Sequence, residues 1–208
     1  MSETRDAEIH HLIGGILCLN FANTLYGHGE TPVHEYLFDY RDLVLWSRHA
    51  EVLTDEETRQ LLQEVKLHPT EAEAVFQRAV QLRETFYRVF ENIAHSRLPA
   101  SDDLNRIHVT WRENLNHSRL VRVPDGYALD WVPDPALGRV LWPIADSAMD
   151  LLTSDMLERV KQCGGCDWLF LDQSRNHMRR WCSMDKCGNR SKMRRRYARK
   201  KQQKTRQM

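Results

Sequence analysis

The amino-acid sequence predicts a mainly α-helical fold with one small β-hairpin, which places the chain in the α+β class. Three observations support this prediction. Apolar residues recur near the helical period of about 3.6 over long stretches of the 208-residue chain. Two runs of alternating polarity flank a turn sequence, and four of the five cysteines lie close together near the C-terminus. We therefore divide the chain into a helical N-terminal domain, residues 1–153, and a small C-terminal domain, residues 154–208.

Helical signals cover most of the first domain. Residues 38–50 have a helical pattern, and residues 54–57, Thr-Asp-Glu-Glu, form a capping box that starts the next helix. A long periodic stretch predicts a helix over about 70–96, and Ser101 is expected to begin another. The apolar run over residues 12–22 fits either a strand or a helix, and periodicity does not decide between them.

The end of the first domain combines a hairpin with a last helix. Alternating runs over 119–123 and 127–132 surround Pro-Asp-Gly, which is a turn sequence and predicts a β-hairpin. We expect Asp134 to cap a helix that runs to Thr153, with a kink at Pro143. Two short strands, over 157–161 and 168–171, are expected in the second domain. Five tryptophans are predicted to lie in the core: Trp46, Trp111, Trp131, Trp142 and Trp168.

Four cysteines have the spacing of a metal site, with Cys163 and Cys166 two residues apart and Cys182 and Cys187 four residues apart. Four thiolates suit tetrahedral Zn²⁺, and an all-cysteine site is closed and structural because it keeps no position for a reactive water. The glycines between the first pair permit a sharp turn through positive φ and the lack of a Cβ. His177 lies between the pairs and is either an alternative ligand or a solvent-facing side chain.

Disulfides and a redox CxxC are the competing interpretations of these cysteines. The polar, acidic N-terminus does not resemble a secretory signal, so we expect a cytoplasmic protein, in which paired cysteines indicate metal binding. No thioredoxin-like pattern surrounds the CxxC. The fifth cysteine, Cys18, lies in an apolar run and is expected to be buried.

Charge is distributed very unevenly along the chain. Residues 175–208 contain 14 Lys and Arg and one acidic residue, whereas residues 1–174 contain 16 basic and 28 acidic residues. An acidic body with a basic end favours a nucleic-acid partner, and no apolar run approaches the length of a membrane span.

The basic end after Cys187 is predicted to be a helix, because Arg, Lys, Ala and Met favour helices. Its candidate nucleic-acid contacts are Arg190, Lys192, Arg194, Arg195, Arg196, Tyr197, Arg199 and Lys201. Met193 and Ala198 are expected to face the zinc core. The alternatives are a solvated tail, RNA binding with stacking on Trp168, Phe170, Trp181 or Tyr197, and a docking module for polymerase or for the acidic body of the chain itself.

The polar residues near the start of the first domain have two interpretations. Asn20, Asn23, Thr24 and His28 could line a pocket for a small-molecule effector, or they could cap and satisfy backbone groups. The sequence has no P-loop, dinucleotide fingerprint, HExxH or nucleophile elbow, so we do not expect an enzyme.

The C-terminal pattern of Cys163, Cys166, Trp181-Cys182 and residues 187–190, Cys-Gly-Asn-Arg, followed by a basic helix, resembles the CGNR zinc-finger family. The upstream chain resembles the ABATE domain that usually precedes this finger, on the basis of residues 17–24 and 80–90. The resemblance implies zinc ligands at the four cysteines and a role in stress-induced regulation of bacterial transcription. The chain departs from the pattern at Asn20, where the family often has aspartate.

Overall fold

The computed structural model describes residues 12–27, 34–132 and 134–206, with side chains described up to Arg199. Most of this described part is helical, and its strands form three separate antiparallel pairs. The helices are α1 (Leu17–Ala22), α2 (Tyr40–His49), α3 (Asp55–Leu67), α4 (Pro69–Ala94), α5 (Ser101–Asn114), α6 (Trp142–Thr153) and α7 (Asn189–Arg206). The strands are β1 (Leu25–Tyr26), β2 (His34–Glu35), β3 (Ser118–Val123), β4 (Gly126–Trp131), β5 (Val160–Gln162) and β6 (Leu169–Leu171). The predicted mainly α fold with a small hairpin is confirmed.

The long helix α4 organises the core of the helical region. It packs against α1, α2, α3 and α5. Phe86 and Phe90 are fully buried on it, and Phe21 of α1 meets Phe86 edge-to-face with ring centroids 6.2 Å apart. The capping box predicted before α3 is present, because the Glu57 carboxylate accepts from the Thr54 backbone and the Glu57 N–H donates to the Thr54 hydroxyl. The ambiguous run over residues 12–22 contains helix α1, whose buried side chains face this core.

The region before α6 differs from the prediction. Asp134 does not cap a long helix, because its carboxylate accepts from the Ala136 N–H in a tight turn and a short 3₁₀ segment, Leu137–Leu141, follows. Helix α6 begins only at Trp142, which places Pro143 in its first turn. Proline has no N–H, and an N–H in the first turn would have no helical partner, so Pro143 begins the helix without the expected kink.

The hairpin is confirmed, with Ser118 opposite Trp131 and Val123 opposite Gly126. The tryptophan prediction is partly wrong. Trp46, Trp142 and Trp168 are buried as expected. In contrast, Trp111 and Trp131 are only half-buried, and the Trp111 indole donates to Asp146 at 3.0 Å.

The last part of the chain joins the same core. The strand expected over 157–161 is a 3₁₀ turn, Leu157–Arg159, followed by β5, which pairs with β6. Val160, Leu169 and Leu171 are buried together with the helical core. The predicted division at residue 154 therefore separates two parts that bury apolar surface against each other.

None of the helices in the described part of the chain has both the length and the apolar character needed to cross a membrane.

Candidate metal centre and basic helix

The first cysteine pair lies in the turn between β5 and β6. The Cys163 N–H donates to Trp168 O at 2.8 Å, and the Asp167 N–H donates to Cys163 O at 3.2 Å, which closes the turn around the two sulfurs. Of the two reasons predicted for the glycines between the cysteines, the structure supports the lack of a Cβ and not positive φ. Neither adopts positive φ; a Cβ on Gly164 would meet the Trp181 ring at 3.2 Å, and one on Gly165 would meet Cys187 Cβ at 3.3 Å. The glycines let the second half of the site approach closely.

The second pair is held by a one-turn π-helix, Met184–Gly188, that leads directly into α7. Ser183 O accepts from both the Cys187 N–H at 3.1 Å and the Gly188 N–H at 3.0 Å. A Cβ on Gly188 would lie 2.9 Å from Met184 Sδ, so this glycine also permits close packing. Because Cys187 is two residues before the start of α7, the position of its sulfur fixes the direction in which that helix leaves the site.

The four sulfurs of Cys163, Cys166, Cys182 and Cys187 all lie within 4.8 Å of one another, and all four residues are buried. The Cys166 and Cys182 sulfurs are 3.4 Å apart, and those of Cys182 and Cys187 are 3.7 Å apart. Tetrahedral Zn²⁺ with Zn–S bonds of about 2.3 Å requires sulfurs about 3.8 Å apart. The donor set and its geometry therefore fit a closed structural zinc site, as predicted. His177 is exposed and lies outside the cluster, with its Nδ1 3.3 Å from Asp172 O.

The crowded thiols favour ionisation at one position of the cluster. The pKa of Cys163 is lowered because the Cys166 and Cys182 thiols are hydrogen-bonded to its sulfur. The pKa of Cys166 is raised because its proton is held in the hydrogen bond to Cys163. Zn²⁺ bound by four thiolates still leaves a local charge of about −2, which nearby cations stabilise.

Arg190 is one such cation. Its Nη2 donates to Cys187 Sγ and to Gly165 O, both at 3.3 Å, and the hydrogen bond to the thiol raises the pKa of the guanidinium. Arg190 is among the nucleic-acid contacts predicted from the sequence, whereas in the structure its head group contacts the cysteine cluster. The relevant signal was its spacing, since a residue three positions after Cys187 at a helix start lies on the same face.

Asp172 is a second supporting residue, and it is not among the site residues predicted from the sequence. It is fully buried after β6, and its carboxylate accepts from Lys161 Nζ at 2.6 Å, the Ser174 hydroxyl at 2.6 Å, the Ser174 N–H at 3.0 Å and the Arg179 N–H at 2.9 Å. Burial acts to raise the pKa of this carboxyl, but the hydrogen bonds outweigh it and hold the pKa well below its ordinary value. An Asp followed two residues later by Ser at a strand end could have suggested this turn.

The Arg179 side chain continues this support to the second cysteine pair. Its Nε donates to Trp181 O at 2.9 Å, and its Nη2 donates to Cys182 O. Its guanidinium also lies over the Phe170 ring at 4.8 Å. Asp172 and Arg179 together fix the loop that returns the chain to Cys182.

Helix α7 presents its cations to solvent. The exposed side chains are those of Lys192, Met193, Arg194, Arg195, Arg196, Tyr197, Ala198 and Arg199. Met193 and Ala198 therefore do not face the zinc core, and that prediction is wrong. The helix projects away from the cluster, so its apolar residues have no core to meet. The Lys201 side chain lies outside the described residues, although its backbone is helical.

The polar residues of the predicted effector pocket form hydrogen bonds within the protein. Asn20 Oδ1 accepts from the Gly14 N–H at 2.7 Å, and the Thr24 hydroxyl donates to Phe21 O at 2.7 Å. The Asn23 amide donates to Leu169 O at 2.8 Å and accepts from the Leu169 N–H at 2.9 Å. His28 lies outside the described residues. Asn23 therefore joins the end of α1 to β6 through two hydrogen bonds.

Cys18 is fully buried, as expected. Its backbone N–H donates to the Ser147 hydroxyl at 3.1 Å, and burial raises the pKa of its thiol to about 12. A thiol with this pKa has very little thiolate at neutral pH, so it is a packing residue.

A buried, closed cluster of four cysteines beside a basic helix defines a zinc-finger protein with a helical partner domain. Residues 15–155 match the ABATE family, whose description is "Putative stress-induced transcription regulator". Residues 159–200 match the CGNR zinc finger. The chain belongs to the ABATE family and carries a CGNR zinc finger at its C-terminal end. No curated protein matches the chain.

Proposed function

We propose that this zinc-binding regulator is a cytoplasmic bacterial protein that controls transcription by binding duplex DNA through α7. The observation that carries the proposal is the cationic surface of that helix. Lys192, Arg194, Arg195, Arg196 and Arg199 are all exposed, and the sequence from 189 to 206 contains no acidic residue. A solvated helix normally mixes both signs of charge, whereas phosphate binding requires one sign.

The zinc cluster gives this surface a fixed position. The turn that carries Cys187 runs directly into α7, and the Cys187 and Gly188 N–H groups are bonded to Ser183 O. Arg190 ties the first turn of the helix back to Gly165 O of the other cysteine pair. Metal binding therefore orders the helix before it meets a partner, which lowers the entropy cost of association.

The cationic surface of α7 predicts that the affinity for duplex DNA falls as the salt concentration rises. If the five exposed cations each neutralise one phosphate, log K should fall with log salt at a slope of about −4.5. The measurement is fluorescence anisotropy on a labelled duplex over a salt series. A flat dependence, or no duplex binding at low salt, would favour docking to another protein or to the acidic body of the chain.

A matched pair of variants tests the proposed contact between α7 and duplex DNA. Arg194→Gln should weaken binding and reduce the slope by about 1, with zinc content unchanged. Arg59→Gln removes another exposed arginine, on α3, where Glu56 already pairs with it at 2.5 Å, and should leave binding unchanged. Equal effects of the two substitutions would show that net charge, and not this helix, determines binding.

RNA is the second nucleic acid to test. Trp168 and Phe170 are buried, so they offer no stacking surface. Trp181 is half-buried against Gly164 and Gly165, in the Cys163–Cys166 turn that we call the first knuckle. Tyr197 is 67% exposed and remains a candidate for stacking. Titration of a single-stranded RNA beside the duplex separates the two partners, and we expect the duplex to bind more tightly. The proposal includes no catalytic step, since four cysteines leave zinc no open position.

A further inference from the structure

A cavity of about 560 Å³ lies away from the zinc site, between the end of α4, the start of α5 and α6. Its size is in the range of about 300–1,000 Å³ that is typical of small-molecule sites. Its walls are apolar, and they are formed by Ile93, Leu104, Met149, Leu152 and Leu157. We refer to it as the linker cavity, because the segment that joins α4 to α5 forms its mouth.

The mouth of the linker cavity, where its exposed lining residues lie, is polar and carries the cation Arg97. Arg97 and His108 lie there, and no acidic residue is among the described residues that line it. Arg97 is 55% exposed, and its ion pair with Glu91 is long, at 3.7 Å between Nη2 and Oε2. The guanidinium is therefore able to form a closer pair with an anionic ligand.

The backbone at the mouth holds Arg97 in a defined position. Ser96 has φ +56°, its N–H donates to Ile93 O at 2.9 Å, and the Arg97 N–H donates to Asn92 O at 2.8 Å. This is a Schellman motif, in which glycine is the usual residue at the position of Ser96. The next residue, Leu98, is 95% exposed at the rim, where an apolar occupant would cover it.

The cavity also connects to the zinc finger. Leu157 lines it and belongs to the 3₁₀ turn that leads into β5 and the first cysteine knuckle. The residue before Ser96, His95, lies with Nε2 2.7 Å from Gln162 Oε1, next to Cys163. Gln162 in turn donates to the Tyr87 hydroxyl at 2.8 Å, and that hydroxyl donates to Asp167 O in the knuckle. These contacts link the segment at the mouth to the turn that carries Cys163 and Cys166.

We propose that the linker cavity is the effector site of the protein and binds an amphipathic organic acid. The apolar body of the ligand lies against Leu104, Met149 and Leu152, and its carboxylate pairs with Arg97. The binding step is independent of the proposed function, whereas the effector role rests on it.

The first test is calorimetric titration of octanoate into the zinc-loaded full chain, with octan-1-ol as the uncharged comparison. Arg97→Gln should reduce octanoate affinity about tenfold and change octanol affinity little. Leu104→Trp fills the cavity from a position that is 38% exposed and should abolish the binding of both. Arg112→Gln, an exposed arginine at the end of α5, is the control and should bind octanoate like the wild type.

The variants distinguish the assignment of the anion contact from the assignment of the site. Unchanged octanoate affinity in Arg97→Gln overturns the assignment of Arg97 as the partner of the carboxylate. Unchanged binding in Leu104→Trp overturns the linker cavity as the binding site.

The second test repeats the duplex titration with saturating octanoate. We expect a shift in DNA affinity in the wild type and none in Leu104→Trp. No shift despite calorimetric binding overturns the effector role, while failure to bind DNA even without octanoate counts against the proposed function alone.

Discussion

Replacement of Asp172 by asparagine tests how the protein supports its zinc site from outside the ligand set. The substitution preserves the volume of the side chain but removes the charge that Lys161 pairs with at 2.6 Å. It also weakens the bonds from the Ser174 and Arg179 N–H groups, which hold the loop leading to Cys182. We expect lower stability and faster zinc release, although no cysteine is changed.

The size of the expected stability loss follows from the burial of Asp172 and Lys161. Breaking a fully buried ion pair costs about 3–5 kcal/mol. Asp172 is fully buried, but the Lys161 side chain is 28% exposed and can reach water once its partner is neutral. Asparagine also keeps one acceptor for the loop. We therefore expect Asp172→Asn to lower the free energy of unfolding by about 2 kcal/mol and to weaken zinc binding about tenfold or more.

The assay combines urea unfolding with zinc transfer to a colorimetric chelator.

The pH dependence of stability supplies a second readout. Because the folded-state pKa of Asp172 is lowered, its contribution is fully present above the pKa of an unfolded aspartate and is lost as pH falls through the folded value. The stability difference between the wild type and Asp172→Asn should therefore be constant from pH 8 to about 5 and shrink below about pH 4. Asp130→Asn, at the exposed hairpin pair with Arg119, is the control and should change neither readout. Wild-type zinc release and stability in Asp172→Asn would refute the reasoning.

Four further predictions address other parts of the molecule. Arg190→Gln should speed zinc release about tenfold and leave the salt slope of DNA binding nearly unchanged; a loss of about one unit of slope with normal zinc release would instead make Arg190 a phosphate contact. Ser96→Gly should raise the free energy of unfolding by about 0.5–1 kcal/mol, because glycine adopts positive φ without strain; urea unfolding measures this, and a destabilised variant would contradict it. Cys18 should resist iodoacetamide in the folded protein and react only after denaturation, as followed by mass spectrometry, and rapid labelling at pH 8 would contradict its burial. Cys182→Ser should lose zinc and also lower the thermal stability of the helical region, whereas an unchanged helical transition by circular dichroism would show that the two parts fold independently.

The strongest sequence signals were those that depend on local chemistry. The spacing of the four cysteines predicted the zinc site. The two cysteines of each pair are close in sequence, so both can bind one ion whatever the rest of the fold. The capping box at Thr54 and the turn before Gly126 were equally local and are present in the structure. Long helices such as α4 were predictable because a buried stripe must repeat at the helical period.

The errors arose where the outcome depends on tertiary packing. Pro143 was expected to kink a helix because the sequence does not show that α6 starts one residue earlier. The prediction that Met193 faces the zinc core is wrong because the helix projects away from the cysteine cluster and exposes this side chain. Arg190 and Asp172 support the cluster through contacts with Gly165 and Lys161, and partners 25 and 11 residues away cannot be identified from local patterns.

The pairing of Asn23 with Leu169 has a consequence for folding during synthesis. The two hydrogen bonds join positions 146 residues apart, and Leu169 and Leu171 complete the apolar surface around α1. A ribosome therefore exposes the first helix long before the strand that covers it has been synthesised. We expect the nascent chain to keep that surface soluble until β6 has been synthesised, and zinc binding by the cysteines on either side of β6 to help that strand dock.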